Sequence, residues 1–525
     1  MSALLAVWSL FLWRAIVIFR PDSNYALFSS DSSFPVLMAN QDRAITLFDY
    51  YAYGQDRWGS LPFLLARILH KWIGHHWSPQ DMHVFRTIWL FAGLLIITKL
   101  VRHNRSVVLL TALIAICLPE LTRIYVFDLS ELYAWQIPGL FLGWYVARRL
   151  FATRLFSTDS KISVRIPTLL WGVALFGVSF LTIWTSVASG PFLCFLVAIE
   201  AARADLTSSD NSASKWERAK YFQGLALVAL GALGEKLLRT AYHTYCLKRW
   251  GYENRTQMAF DFGHLRENLA AQIHTYLEFS LWPVTIIPAA LLLILALLFT
   301  YRCWKKTIEP LRELRRILMD DTLTLIIGMW GVGLINFVMS ATIVHVRLMS
   351  YETRFQTLPW FLGVSSGLLT LIWVPRHLLE LSPLGLHYMR LVTVAVFLFL
   401  LFAFPAPTVS PNYLIDQKTA TTLAERAPEA TLMGRYWDTY ILIALQKTNA
   451  MLPLPLQGEP LRMPWTPAML PDAKQVIVEY RRSNVSSSHS APPMLIQYGV
   501  TLRLVEPKWY ENEKYAFALY LNDKK

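Results

Sequence analysis

The chain has 525 residues, 54% hydrophobic and 16% charged, where an ordinary soluble domain carries about 25% charged residues. Too little polar surface remains to cover a soluble protein of this size, which excludes a soluble enzyme, a disordered chain and a secreted disulfide scaffold in favour of a multi-span membrane protein. The net charge of +13 is explained by positive cytoplasmic loops beside anionic lipid; no zinc knuckle, recognition motif or basic tail points to nucleic acid. The cysteines, Cys117, Cys194, Cys246 and Cys303, are scattered, so neither a disulfide nor thiol chemistry is expected.

Crossing about 30 Å of hydrocarbon takes roughly 20 apolar residues. About eleven runs approach that length, near 2–19, 84–101, 106–119, 134–150, 166–185, 188–202, 220–238, 277–300, 321–345, 357–374 and 389–405. Basic residues fall in alternate connections: Arg102 and Arg105; Arg148, Arg149 and Arg154; Arg203, Lys215 and Arg218; Lys305, Lys306, Arg312, Arg315 and Arg316. Their side is the cytoplasmic one. The other side then receives the loop 20–83, the short loop 120–133, the loops 239–276 and 346–356, and the C-terminus. From 406 onward the composition changes. Prolines at 452–471 precede short apolar and β-branched runs, at 476–478, 495–496, 500–502 and 517–519, separated by Gly, Asn and Pro. The expected fold is an α-helical polytopic membrane domain over 1–405 with a small mixed α/β extracytoplasmic domain over 406–525.

The loop 20–83 is the richest in polar residues. Its first half opens on a Ser-Asp cluster with Pro35 in the first turn of an expected helix. In its second half Leu61, Leu64, Leu65, Ile68, Leu69 and Trp72 recur at three- and four-residue spacing, as in an amphipathic helix lying in the membrane interface. Asp31 has two readings: an N-cap, which the flanking serines also offer, and a catalytic carboxylate. Asp49, Asp56 and Arg57 crowd the same loop, where carboxylate–Arg neighbours are commonly structural pairs. Gly54 and Gly59 bracket a tight turn there.

Ser30-Asp31 after a first span, then Tyr53-Gly54-Gln55, Trp58-Gly59-Ser60-Leu61, Tyr351-Glu352-Thr353-Arg354-Phe355 and Gly434-Arg435-Tyr436-Trp437-Asp438 together resemble the GT-C glycosyltransferases. Within them the chain is similar to the bacterial branch related to protein mannosyltransferases and the aminoarabinose transferase. The resemblance implies transfer of a sugar from a polyprenyl phosphate to an acceptor at the outer face, with Asp31 as general base or acceptor holder. Residues next to Asp31 are serines rather than a second carboxylate, so a divalent metal is not supported and no cofactor is expected.

A phosphate leaving group needs positive charge. Arg354 matches the family's Arg and ranks first as phosphate clamp, ahead of Arg57, Arg347 and Arg123, with Lys236 and Arg239 as second choices. Arg354 also reads as an interfacial snorkelling residue. Gln55, Asp56, Asp128, Glu131 and His345 are candidates for the substrate cavity; Asp128 and Glu131 also read as a solvated acidic turn, and His345 as a packed histidine.

The implied function is an inverting membrane glycosyltransferase in cell-envelope glycan or glycoconjugate assembly. It would sit in a bacterial inner membrane with its active site and C-terminus extracytoplasmic. Its partners would be a polyprenyl-phosphate sugar, a glycan, lipid or protein acceptor, and membrane lipid. The alternatives are a non-catalytic carrier or flippase for lipid-linked sugars and an envelope-assembly partner. Internal repeats and broken mid-membrane spans, which a transporter more often shows, are not seen in the sequence.

Overall fold

The computed structural model describes residues 30–53, 58–100, 135–152, 165–207, 215–251, 260–305, 319–348, 353–377, 409–447, 451–480 and 491–523, with scattered positions before residue 30. Two short helices, α1 (Ser30–Ala39) and α2 (Leu61–Ile73), come first. A bundle follows: α3 (Pro79–Leu100), α4 (Ile137–Ala152), α5 (Arg165–Thr185), α6 (Ser189–Thr207) and α7 (Lys215–Trp250). It continues with α8 (Leu265–Leu277), α9 (Trp282–Trp304), α10 (Asp321–Ala341), α11 (Val344–Leu348) and α12 (Thr357–His377).

Five helical stretches among the described residues are long and apolar enough to cross a membrane: Pro79–Ile97, Thr168–Thr185, Trp282–Tyr301, Asp321–Ala341 and Thr357–Val374. The chain is therefore a mostly helical membrane protein. The stretch in α12 is 83% buried and that in α9 only 17%, so α12 is the hub and α9 faces the surroundings with Leu293, Leu297 and Leu298 exposed. Around α12 the core gathers Trp144, Phe192, Leu325, Ile326, Leu358 and Leu369. The expected spans 134–150, 188–202 and 220–238 fall on helices α4, α6 and α7, which are not among these five stretches. Those at 106–119 and 389–405, and most of 2–19, lie outside the described residues.

Two ends of the bundle can be told apart. At the far end, the Arg148 side chain on α4 donates to the Leu100 carbonyl that closes α3. At the other end, Gln80 on α3 meets Tyr413 of the tail. Helices α3 and α4 run in the same direction, and α12 finishes at the far end while Ser410 is back beside Asp22 at the other.

The tail starts with α13 (Pro411–Arg426) and folds as a six-stranded mixed sheet. The strands are β1 (Thr431–Gly434), β2 (Leu452–Pro455), β3 (Gln475–Tyr480), β4 (Met494–Gln497), β5 (Val500–Glu511) and β6 (Ala516–Asn522). Their order is β2-β1-β3-β6-β5-β4. The first three are parallel and the rest antiparallel. Helix α14 (Tyr436–Ala444) makes the crossover from β1 to β2, and the prolines of Leu452–Pro455 are tolerated because β2 is an edge. One face of the sheet shares a core with the segment 34–77, through Phe34, Phe48, Trp58, Tyr440 and Ile477. Its other face closes on Leu470, Val476, Leu502 and Tyr520.

Candidate functional site at the sheet end of the bundle

Helix α1 holds Asp31 in its first turn, one residue inside rather than at the cap position. Pro35 falls in the second turn, not the first as the sequence suggested. Lacking an N–H, it leaves the Asp31 carbonyl four residues back without its intrahelical donor. The body of the helix, Ser32 to Asn40, is buried. Asn40 pins its end: its amide donates to the Trp77 carbonyl at 2.7 Å and accepts from the Trp77 N–H at 2.8 Å. Phe34 lies 4.9 Å from Tyr440 and 6.4 Å from Tyr436, ring centre to ring centre. The Ser-Asp segment and the Gly-Arg-Tyr-Trp-Asp segment, 400 positions apart by number (Gly434 against Phe34), thus meet through α1 and α14.

Asp49 shows what a structural carboxylate looks like in the same loop. It is fully buried, accepts from Arg43 at 2.5 and 3.0 Å and lies 3.1 Å from Arg67. The Thr46 N–H (2.7 Å) and hydroxyl (3.0 Å) also donate to it. With its lone pairs engaged this way, Asp49 is a clamp and not a base. Arg67 comes from the inner face of α2 and also donates to the Gln41 carbonyl at 2.9 Å. Arg43 lies 4.3 Å over the Trp465 ring, which joins the loop to the tail. Burial pushes the neighbouring Tyr53 hydroxyl far above its ordinary range, and the Asp49 charge adds to the shift.

Helix α2 buries Leu64 but turns the later part of its apolar stripe outward. Leu65, Ile68 and Leu69 are exposed, and Trp72 is 81% exposed, while Arg67 on the opposite face is 1% exposed. A soluble helix would do the reverse, so the stripe is built for an apolar medium. Gly59 is required by close approach rather than by a turn: a Cβ there would stand 2.1 Å from the Trp184 carbonyl oxygen, where α5 meets this loop.

Further polar groups collect at the same end. His83 and Arg86, in the first turns of α3, are buried, and the Arg86 guanidinium lies 4.9 Å from the Trp135 ring centre. Ser189, opening α6, donates to the Gln136 side-chain oxygen beside Trp135. Sequence reading missed His83 and Arg86. The available signal was an arginine just inside an expected span, which is costly unless used or paired.

Among the candidates, Arg57, Arg123, Gln55, Asp56, Asp128 and Glu131 lie outside the described residues. Asp31, His345 and Arg354 are placed by backbone: Asp31 on α1, His345 on α11, and Arg354 in the 3-10 turn Thr353–Gln356 that leads into α12. Arg347 is engaged, 2.9 Å from Asp261. Glu235 pairs with Arg239 at 3.4 Å and accepts from the Tyr51 hydroxyl at 3.1 Å. No group of three or more metal-ligating side chains occurs among the described residues.

No protein-family model matches the chain, and no curated protein matches it in sequence. Among solved structures it is similar to the apo form of the Archaeoglobus fulgidus oligosaccharyltransferase, at 13% identity and a TM-score of 0.43, over 90% of this chain and 69% of that one. So distant a likeness assigns neither a family nor an activity.

Proposed function

We propose that the chain is a GT-C-type membrane glycosyltransferase, taking a sugar from a polyprenyl-phosphate-linked donor to an acceptor at the extracytoplasmic face. The observation that carries this reading is the seating of α1. A helix opening on Ser-Asp is buried along its body between α2, α3 and α14, at the junction of the bundle and the sheet. A carboxylate carried on a helix seated at such a junction suits an acceptor that approaches from water and a donor that arrives from lipid. In the proposed step the acceptor hydroxyl oxygen bonds to the anomeric carbon from the face opposite the phosphate. The carbon–oxygen bond to phosphate breaks, the phosphate leaves with the electron pair, and Asp31 takes the hydroxyl proton. Arg354 is the proposed clamp on the departing phosphate, in a turn at the same end of the bundle.

The orientation belongs to the same proposal. Arg148, Arg149, Arg203 and Lys305 all lie toward the far end, which supports placing that end in the cytoplasm and the sheet outside.

The test is Asp31→Asn, assayed with labelled polyprenyl-phosphate sugars and purified protein in detergent. Loss of a general base lowers the rate about 100- to 10,000-fold. Folding should hold, because the substitution keeps shape and hydrogen-bonding capacity. A well-folded Asp31→Asn protein with the wild-type rate would remove Asp31 from the mechanism. Failure of the wild-type protein to form product from any such donor would favour the carrier reading.

A further inference from the structure

Helix α8 presents Asn268, Gln272 and Tyr276 at four-residue spacing, one face of the helix. Asn268 donates to the Ala341 carbonyl at 2.9 Å, and Tyr276 lies 5.5 Å from Phe337, so this face runs antiparallel along the end of α10. Tyr276 also lies 5.8 Å from Trp360 on α12, and Phe279 lies 4.7 Å from it. Gln272 stands one turn before Tyr276. Gln356 stands one turn before Trp360, in the turn that α8 packs against. The two glutamines therefore occupy the layer above the aromatic pair, at the sheet end of the bundle.

Both glutamines are fully buried, and neither the nitrogen nor the oxygen of either side-chain amide has a hydrogen-bond partner. The Asn336 amide nitrogen and the Trp360 indole nitrogen, on the two helices facing α8, are buried and unpartnered as well. Each such group left unpaired costs about 1–3 kcal/mol, and a purely structural core would fill these positions with Leu or Met at no such cost. The layer is primed for something that both donates and accepts hydrogen bonds.

The groups point to the chemistry of the occupant. Amides carry no net charge, so these groups are poorly suited to a phosphate. A sugar hydroxyl both donates and accepts, as a primary amide does. Adjacent hydroxyls match its N–H and C=O together, and the apolar face of a sugar ring packs on an aromatic such as Trp360. We propose that Gln272 and Gln356 form the hydroxyl-reading subsite for the sugar ring of the lipid-linked donor. This rests on the glycosyl-transfer reading for the identity of the donor and adds where sugar identity is read. Admitting the ring asks for displacement of α8 and the 353–356 turn, two short elements, rather than of the bundle.

The test uses the full chain in detergent, Gln272→Leu and Gln356→Leu, and a panel of polyprenyl-phosphate hexoses differing at single hydroxyls, with polyprenyl phosphate lacking a sugar as control. Each substitution should weaken binding of the preferred hexose about tenfold and flatten discrimination among the epimers, with affinity for the sugar-free control unchanged. Thermal stability should hold or rise, since an unpaired buried amide has been removed. Unchanged epimer discrimination in both variants overturns the subsite, even if transfer by the wild type is demonstrated. An equal loss for the sugar-free control overturns it too, because the groups would then be serving the phosphate or the fold. Epimer discrimination that depends on the two glutamines, in a protein that forms no product, would uphold the subsite and sink the transfer step alone.

Discussion

The carboxylate cluster at the far end of the bundle and the α8 layer at its sheet end bury polar groups in opposite ways. At the far end, Glu200 accepts from Arg148 and from the Trp144 indole at 2.7 Å each, and Asp321 meets both Arg148 and Arg203. Next to it, Asp320 caps α10 by accepting from the Thr322 and Leu323 N–H groups at 2.8 and 2.9 Å, and accepts from the Trp373 indole at 3.0 Å. These carboxylates are matched, and the cluster ties α4, α6, α10 and α12 together. At the sheet end, Gln272, Gln356, Asn336 and Trp360 are buried with polar atoms unmatched. Matched burial makes an end rigid; unmatched burial holds capacity in reserve at a stability cost, which is the pattern expected where a ligand binds.

The largest expected effect separates the ends by what each change disturbs. Asp321→Ala strips Arg203 of its carboxylate and leaves Arg148 with Glu200 alone. Breaking a buried pair costs about 3–5 kcal/mol, and the low end applies because both arginines keep some exposure. Thermal unfolding in detergent should show a lower midpoint, while donor binding by the protein that remains folded should be unchanged. A loss of donor affinity as large as that of the glutamine variants would erase the contrast between the ends.

A smaller effect is expected where the loop bearing Tyr51 and Gly59 meets α5. Gly59→Ala places a methyl group against the Trp184 carbonyl, and backbone cannot swing aside as a side chain can. The expected loss is about 1–3 kcal/mol by thermal unfolding, with any loss of transfer following from a displaced Tyr51–Gly59 pairing. An unchanged midpoint would mean that the loop is less tightly seated on α5 than the geometry indicates.

What the sequence disclosed depended on whether a pattern was local. The stripe Leu61, Leu64, Leu65, Ile68, Leu69 and Trp72 gave α2, and uninterrupted apolar runs gave α5 nearly to the residue and the starts of α10 and α12, with their ends three or four residues off. The short apolar and β-branched runs gave β3 to β6. Strands β1 and β2 were missed, because their parallel pairing depends on the α14 crossover and because Leu-Pro-Leu-Pro reads as loop away from a sheet edge. Helix α7 was cut at 238, where Arg239, His243 and Lys248 resemble a loop. It continues to Trp250 because Tyr242 and Trp250 pack on Phe48, at 6.0 and 5.1 Å. The stretch expected as the loop 239–276 is thus largely helical. Asp31 was legible as a carboxylate at a helix start. Gln272 and Gln356 were not, because an amide announces nothing until its surroundings prove empty of partners.

The smallest expected effect concerns pH at the sheet end, where Asp261 joins the start of α8 to α11. Its carboxyl accepts from His264, lies 2.9 Å from Arg347, and is held below the usual carboxylate range by the His264 hydrogen bond first and the Arg347 charge after it. A folded-state pKa below the unfolded value gives stability that is complete above the ordinary carboxylate pKa of about 3.9 and is lost as pH falls through the folded value. The wild-type melting midpoint should therefore fall further than that of Asp261→Asn between about pH 6 and about pH 3. The substitution cannot ionise, so it should carry the loss at every pH. Only the difference between the two proteins bears on this site, since other carboxylates protonate in both. Parallel curves would mean that the Asp261–Arg347 pair contributes nothing measurable. That outcome would return Arg347 to the pool of cations able to meet a donor phosphate, and the sheet end would then hold unmatched charge as well as unmatched amides.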